Sequence, residues 1–216
     1  MIEIIIPVGP GHEQAAEFAK LSIQCAMDNY MFDDVRVVLV DDVAGKKGRS
    51  ASRNMGAKAS KADWIFWLDA DDLVHPDIFL NAESVLSLAD HDAIWGMVHQ
   101  LDRFIATPRY ELPRINDYAT LIKYPSAWTV KIGHFVRPQI ARDFPFNEVM
   151  NCAEDWDYYL RVWKKARCVK IPAPFYVKTT GNQSTGPKSA NGADWSRITA
   201  DMLETARQEY NQENPA

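Results

Sequence analysis

The chain opens with short apolar runs that alternate with amphipathic stretches. Residues 2–8, Ile-Glu-Ile-Ile-Ile-Pro-Val, read as a buried strand stopped by Gly9-Pro10-Gly11. A helical period follows over 12–30, with Ala15, Phe18, Ala19, Ser22, Cys25 and Ala26 as the expected inward stripe. Residues 35–40 form a second, β-branched strand that ends in Asp41-Asp42. Ala51, Met55 and Ala59 space a short helix over 50–59. Residues 64–68, Trp-Ile-Phe-Trp-Leu, are apolar throughout and predict a strand buried on both faces. Another helix is expected after Pro76, burying Phe79, Ala82, Val85 and Leu86. This alternation predicts an α/β fold with a mainly parallel central sheet and helices on both faces.

Beyond about residue 98 the rhythm breaks. Residues 93–97, 127–131 and 134–137 read as short strands, and 100–118 is rich in turn formers and mixed charge. A clear helix covers 153–166, with Trp156, Tyr159, Leu160 and Trp163 on one face. Residues 169–177 are extended but contain Pro172 and Pro174, which suits a sheet edge. A polar loop spans 181–191, and a last amphipathic helix over 195–210 uses Trp195, Ile198, Met202 and Ala206. The whole is expected to be one domain: a sheet-forming half over 1–98, a second half over 99–178, and a loop and helix over 179–216.

Chemistry concentrates at strand ends. The run at 64–68 stops in Asp69, Asp71 and Asp72. The carboxyl ends of strands are where open α/β sheets bind ligands. If the chain stays extended, Asp69 and Asp71 point to the same side, and two carboxylates there suit a hard divalent cation. Asp-Asp before Leu-Val-His-Pro equally suits the start of a helix. Glu154-Asp155 opens the helix at 153–166, where acidic side chains favour the helix dipole. The basic residues Arg161, Lys164, Lys165, Arg167 and Lys170 are expected on a solvated face.

Composition narrows the class. Hydrophobic content is 47% and formal net charge −5, which fits a globular protein and disfavours broad binding to nucleic acid or anionic membrane. No run approaches the roughly 20 apolar residues that span a bilayer. The start lacks a basic, signal-like segment, and Cys25, Cys152 and Cys168 form no CxxC pair, so a cytoplasmic protein with reduced thiols is expected.

Three pieces stand in order: Val-Asp41-Asp42, then Arg53-Asn54-Met-Gly56 running into Leu-Asp69-Ala-Asp71-Asp72, then Glu154-Asp155. This order resembles the family 2 glycosyltransferases of the GT-A fold, a Rossmann-like fold with a smaller acceptor-side half. The resemblance covers about residues 2–178 and is densest over Arg53 to Pro76. It implies a nucleotide-diphosphate sugar donor, most often UDP-linked, a Mn²⁺ or Mg²⁺ ion, and transfer to an acceptor hydroxyl, usually with inversion. Carried onto this chain, it implies that Pro7 and Val8 border the base and that Asp42 bonds it. Arg49 and Arg53 fall on the donor side, Asp71 is the principal metal ligand, and Asp69 touches ribose or shares the metal. Asp155 is the general base, with Glu154 as its structural or acceptor-contacting partner, and Trp128, His134 and Glu154 line the acceptor site. The acceptor itself is left open among glycan, lipid carrier, protein and modified nucleobase.

Two departures from the family pattern stand out. The family's His after the last core strand is absent from Tyr176-Val177-Lys178-Thr179-Thr180-Gly181, so Lys178 is expected to contact phosphate there. The link from Asp42 to Arg49 is also short, with Lys46 and Lys47 in it. Two rival readings remain: a non-catalytic nucleotide- or glycan-binding module of the same fold, and a nucleotidyltransferase, for which Gly9-Pro10-Gly11-His12 is a poor phosphate loop.

Overall fold

The computed structural model describes residues 1–80, 86, 90–179 and 192–215. Its centre is an eight-stranded sheet with strand order β2-β1-β3-β7-β5-β8-β4 and β6 paired beside β5. The strands are β1 (Ile2–Val8), β2 (Val35–Asp41), β3 (Trp64–Trp67), β4 (Leu73–Val74), β5 (Ala93–Asp102), β6 (Ile105–Pro108), β7 (His134–Val136) and β8 (Cys168–Lys178). Between β1 and β2 runs α1 (Glu13–Tyr30), and between β2 and β3 runs α2 (Arg49–Ala59). The chain moves from β1 to β2 on one side, then back to β3 on the other. Right-handed crossovers therefore put α1 and α2 on opposite faces, and the carboxyl ends of β1 and β3 flank the point where the winding reverses.

The α/β class and the helices on both faces are as the sequence predicts, but the sheet is mixed. β2, β1 and β3 are parallel, and β5 and β8 are parallel. β7 enters between β3 and β5 antiparallel to both, while β4 and β6 are also antiparallel to their partners. The alternating pattern that signals parallel pairing ends with β3; of the later strands, β8 pairs parallel with β5 after a long crossover that carries three helices, while β4, β6 and β7 pair antiparallel.

Helix faces depart from the predicted stripes. On α1 the buried residues are Ala16, Ala19, Ile23 and Ala26, while Phe18 and Cys25 are exposed. Three alanines let this helix lie close to β1 and β4, and Ser22 Oγ accepts the Val74 N–H at 3.1 Å. On α2 the buried set is Ser50, Ser52, Arg53, Gly56 and Ala57, whereas Met55 is exposed. The face is rotated from the Ala51, Met55 and Ala59 spacing because the Arg53 side chain turns inward with Ser52 and Gly56. Gly56 makes the close approach possible, since a Cβ there would lie 2.6 Å from Ile5 Cγ2.

In the second half, the strand expected over 127–131 is instead a 3₁₀ turn, Ser126–Trp128. Pro172 and Pro174 do not mark a free edge along the whole strand, because β8 lies between β5 and β4. The β5–β8 register shifts around Met97↔Pro174, and β4 reaches only Tyr176 and Val177, so the prolines sit where a ladder bond is missing on each side. Helices α3 (Tyr118–Lys123), α4 (Pro138–Asp143), α5 (Glu154–Lys165) and α6 (Gly192–Glu213) complete the fold. Trp156, Tyr159 and Trp163 are core residues as expected, joined by Tyr158. Phe79 is buried, while Ala82, Val85 and the loop at 181–191 lie outside the described residues. The three cysteines form no disulfide, and among the described residues no helix is long and apolar enough to cross a membrane.

Gly133, just before β7, has φ +83°, and a Cβ there would stand 2.2 Å from the Tyr176 ring. Gly133→Ala should cost about 2–4 kcal/mol from backbone strain plus overpacking. The check is the urea midpoint at unchanged slope. An unmoved midpoint would mean that the ring does not pack over the glycine.

Candidate functional site

β3 ends at Trp67, and after the buried Leu68 the chain turns rather than continuing extended. The Asp72 N–H donates to Asp69 O at 3.1 Å, closing a turn that gathers Asp69, Asp71 and Asp72. One carboxylate oxygen from each lies within 4.8 Å of the others. The sequence predicts that Asp69 and Asp71 share a side. The structure brings them together by this turn, not by strand alternation.

Each carboxylate has a different setting. Asp69 Oδ1 accepts from Arg53 Nη2 at 2.6 Å. Burial pushes the Asp69 carboxyl up, but Arg53, with Lys178 and Arg49 behind it, holds it below the usual carboxylate range. Asp72 is fully buried, accepts the Thr179 N–H at 2.9 Å, and stands 3.4 Å from Lys178 Nζ. Burial raises its carboxyl to about 7 against the pull of Lys178. Asp71 is half-buried, and its carbonyl accepts from the Thr179 hydroxyl.

Across the crevice, α5 begins with Ala153 at φ 59°, a left-handed conformation unusual for a residue with a Cβ. This turn directs Glu154 inward. Glu154 is buried, takes Arg49 Nε at 2.5 Å, and lies 3.4 Å from Arg53 Nη1. Arg53 thus spans from Glu154 to Asp69, with its guanidinium carbon 4.9 Å from the centre of the Phe146 ring. Asp155, next in the chain, stays half-buried. A helix N-terminus ordinarily lowers a carboxyl pKa, yet burial first, then the Glu154 charge, raises Asp155 to about 6. Desolvation wins over the dipole.

The remaining expected residues fall into two groups. Pro7 and Val8 end β1, where the Val8 carbonyl accepts the Asp42 N–H at 2.8 Å. Asp42 is buried and spends both oxygens on its own loop: Oδ1 accepts from the N–H groups of Lys46 and Lys47, and Oδ2 from that of Gly48 at 2.7 Å. The Lys47 N–H leads in holding this carboxyl below its usual range, against burial. Lys178 stands over the acidic turn; burial lowers its ammonium, but Asp72, Asp69 and Asp71 raise it more. Trp128 is 40% exposed at the surface.

His134 is a correction. It is fully buried, stacked on Trp95 at 4.3 Å between ring centres, and does not open onto an acceptor site. Its place on β7, the strand that fills the sheet between β3 and β5, leaves the ring in the aromatic core. Glu154 likewise faces arginines rather than solvent. Lys170, expected on a solvated face, is fully buried and pairs with Glu111 at 2.9 Å. Sequence reasoning missed Thr179 and Glu111; neither has a periodicity signal, because each acts through a contact with a residue far away in the chain.

The donor set is all oxygen and suits a hard cation. Asp71, together with Asp69 Oδ2, fits such an ion from the open side. Asp72 does not, since both its oxygens are held by Thr179 and Lys178.

Removing the central guanidinium should be costly. Arg53→Met leaves Glu154 buried with only Arg49, and Asp69 loses its closest cation. We expect a loss of about 3–5 kcal/mol in denaturant unfolding. A variant as stable as wild type would show that Arg53 is not what holds the crevice.

No curated protein sequence matches the chain significantly. Solved structures similar in fold include S. aureus TarS 1-349, 12% identical, with TM-score 0.63 over 99% of this chain and 73% of that one. TarS 1-349 in complex with UDP-GlcNAc is 13% identical with TM-score 0.63, covering 93% of this chain and 65% of that one. Against a structure titled simply S. aureus TarS, the identity is 14% and the TM-score 0.60, and the match takes in 83% of this chain but 36% of that one. The sequence model of glycosyl transferase family 2 matches residues 22–136, more than half the chain and all of the acidic turn, so the chain belongs to glycosyl transferase family 2.

Proposed function

We propose that the chain moves a sugar from a nucleotide-diphosphate donor, UDP-linked, to an acceptor hydroxyl, with inversion at the anomeric carbon. The observation that carries this is the Arg53 bridge. By holding both Asp69 and Glu154, it sets the acidic turn and Asp155 on one crevice. The family membership supplies the reaction class, and the UDP-GlcNAc bound by S. aureus TarS supports the choice of donor.

In this reading Asp155 takes the proton from the acceptor hydroxyl. A carboxyl raised to about 6 is a stronger base than an ordinary aspartate and is still ionised near neutral pH. The attack comes from the face opposite the departing diphosphate. Pro7, Val8 and the loop that Asp42 shapes border the nucleobase, so Asp42 acts through backbone N–H groups it has already ordered. Arg49, Arg53 and Asp69 set the donor side. Mn²⁺ or Mg²⁺ held by Asp71 and Asp69 would neutralise charge on the leaving diphosphate. Lys178 supplies a fixed positive charge at the same turn, which lessens the demand for metal.

Two measurements test the reading. A single nucleoside diphosphate should raise the thermal midpoint, equivalent to about 2.7 kcal/mol at a hundredfold excess over Kd. Asp71→Ala should abolish the part of that shift that needs Mn²⁺, and Lys178→Ala the part that does not. No shift with any nucleotide would sink the donor assignment. Once an acceptor is in hand, the transfer rate should rise with pH, pass half its maximum near 6 and level above that, because Asp155 must be deprotonated. Asp155→Asn should lower transfer about 10²–10⁴-fold while leaving the nucleotide shift intact. Undiminished transfer by that variant would assign the base elsewhere.

A further inference from the structure

Two histidines that the acidic crevice does not use meet over β8. His75 follows β4, and its N–H donates to Phe175 O at 2.9 Å. His99 lies on β5 opposite Val177, while β4 pairs with the other side of β8 at Tyr176 and Val177. Strands two apart in a sheet are separated by about 9–10 Å. The two imidazoles lean toward each other across that gap, 4.7 Å between ring centres at 81°. Both residues are partly buried.

Their setting favours a cation. Burial first, then the neighbouring imidazole, lowers His75 below the usual histidine range, and burial lowers His99 against the pull of Glu111 and Asp77. Each ring is therefore neutral near pH 7 and offers one nitrogen lone pair. The charged groups that bear on them are carboxylates. Asp77 Oδ2 stands 3.8 Å from His75 Nδ1, and Asp77 Oδ1 accepts from the Tyr30 hydroxyl at 2.8 Å. Glu111 is committed to Lys170 and to the Val98 N–H, so it adds negative charge without offering itself as a ligand.

We infer that His75 and His99 form a binding site for a zinc-type divalent cation, with Asp77 as the carboxylate behind His75. Two imidazoles on one such ion, each nitrogen about 2.0–2.1 Å from it, hold their ring centres roughly 4.5–5.3 Å apart. The observed separation falls in that range. In the structure Nδ1 of His75 accepts the Asp77 N–H at 3.1 Å, which leaves its proton on Nε2. A cation on Nε2 displaces that proton to Nδ1, where the Asp77 carboxylate accepts it, the usual order of carboxylate, histidine and metal. Water fills the remaining positions. Ring nitrogens are softer donors than the all-oxygen acidic turn, so the two sites sort cations: zinc, nickel or copper at the histidines, magnesium at the aspartates. The ion would also tie β5 to β4, a two-residue strand that continues from the acidic turn. None of this depends on the transferase reading.

Calorimetric titration of the full chain with ZnCl₂, in a buffer holding excess MgCl₂ to occupy the acidic turn, tests the site. Wild type should take up a single zinc ion and gain thermal stability from it. Long-range proton–nitrogen NMR spectra should show ring-nitrogen shifts at His75 and His99 alone among the five histidines. His99→Gln and His75→Asn should each abolish the uptake. The asparagine keeps an acceptor for the Asp77 N–H, so the turn folds as before. Asp77→Asn should weaken zinc about 10-fold, and Asp71→Ala should leave it at the wild-type value. The inference is overturned if wild type takes up no zinc, if His99→Gln binds it as wild type does, if uptake disappears with Asp71→Ala, or if the shifts fall on other histidines. The spectra of the wild-type chain decide the point even where a variant folds poorly.

Discussion

The buried guanidinium of Arg53 is the constraint on which the rest of the site depends. It lies on a helix packed on one face of the sheet, yet it touches Asp69 after β3 and Glu154 at the start of α5. Those two carboxylates come from opposite halves of the chain. Without the arginine each would be a partly desolvated negative charge, and together with Asp71, Asp72 and Asp155 they would repel one another. The protein therefore collects five acidic groups at one crevice by placing a single delocalised cation between two of them. Arg49 and Lys178 balance the two ends, on Glu154 and Asp72 respectively.

This charge arrangement produces chemical difference from identical side chains. Three aspartates with the same intrinsic acidity end in three states: Asp69 held low by Arg53, Asp72 raised by burial, and Asp155 raised at a helix N-terminus. What separates them is distance from the guanidinium and access to water. Asp42 illustrates a further outcome, a carboxylate consumed in folding its own loop. An acidic residue at a strand end is thus not yet a ligand; its partners decide what it is free to do.

A second buried pair, Lys170 with Glu111, fixes the segment around residue 111 as Arg53 fixes the crevice. It anchors a segment that has no helix or long strand of its own. Both pairs join residues far apart in sequence.

The sequence by itself determined the sheet-forming first half, because buried strands need unbroken apolar runs and amphipathic helices a 3.6-residue period. It also located the acidic turn and Asp155 by residue type and order. It did not determine which way α2 faces, since an inward arginine breaks the rule that charge points to water. Nor did it place His134 in the core or Lys170 in a buried pair, because a lone polar residue carries no periodic signal. The tertiary structure decided those points, and with them the directions in which the Asp69, Asp72 and Asp155 carboxyls are shifted. The physical reason is that burial energies are summed locally along the chain, whereas desolvation and charge pairing depend on which distant residues the fold brings within a few ångströms.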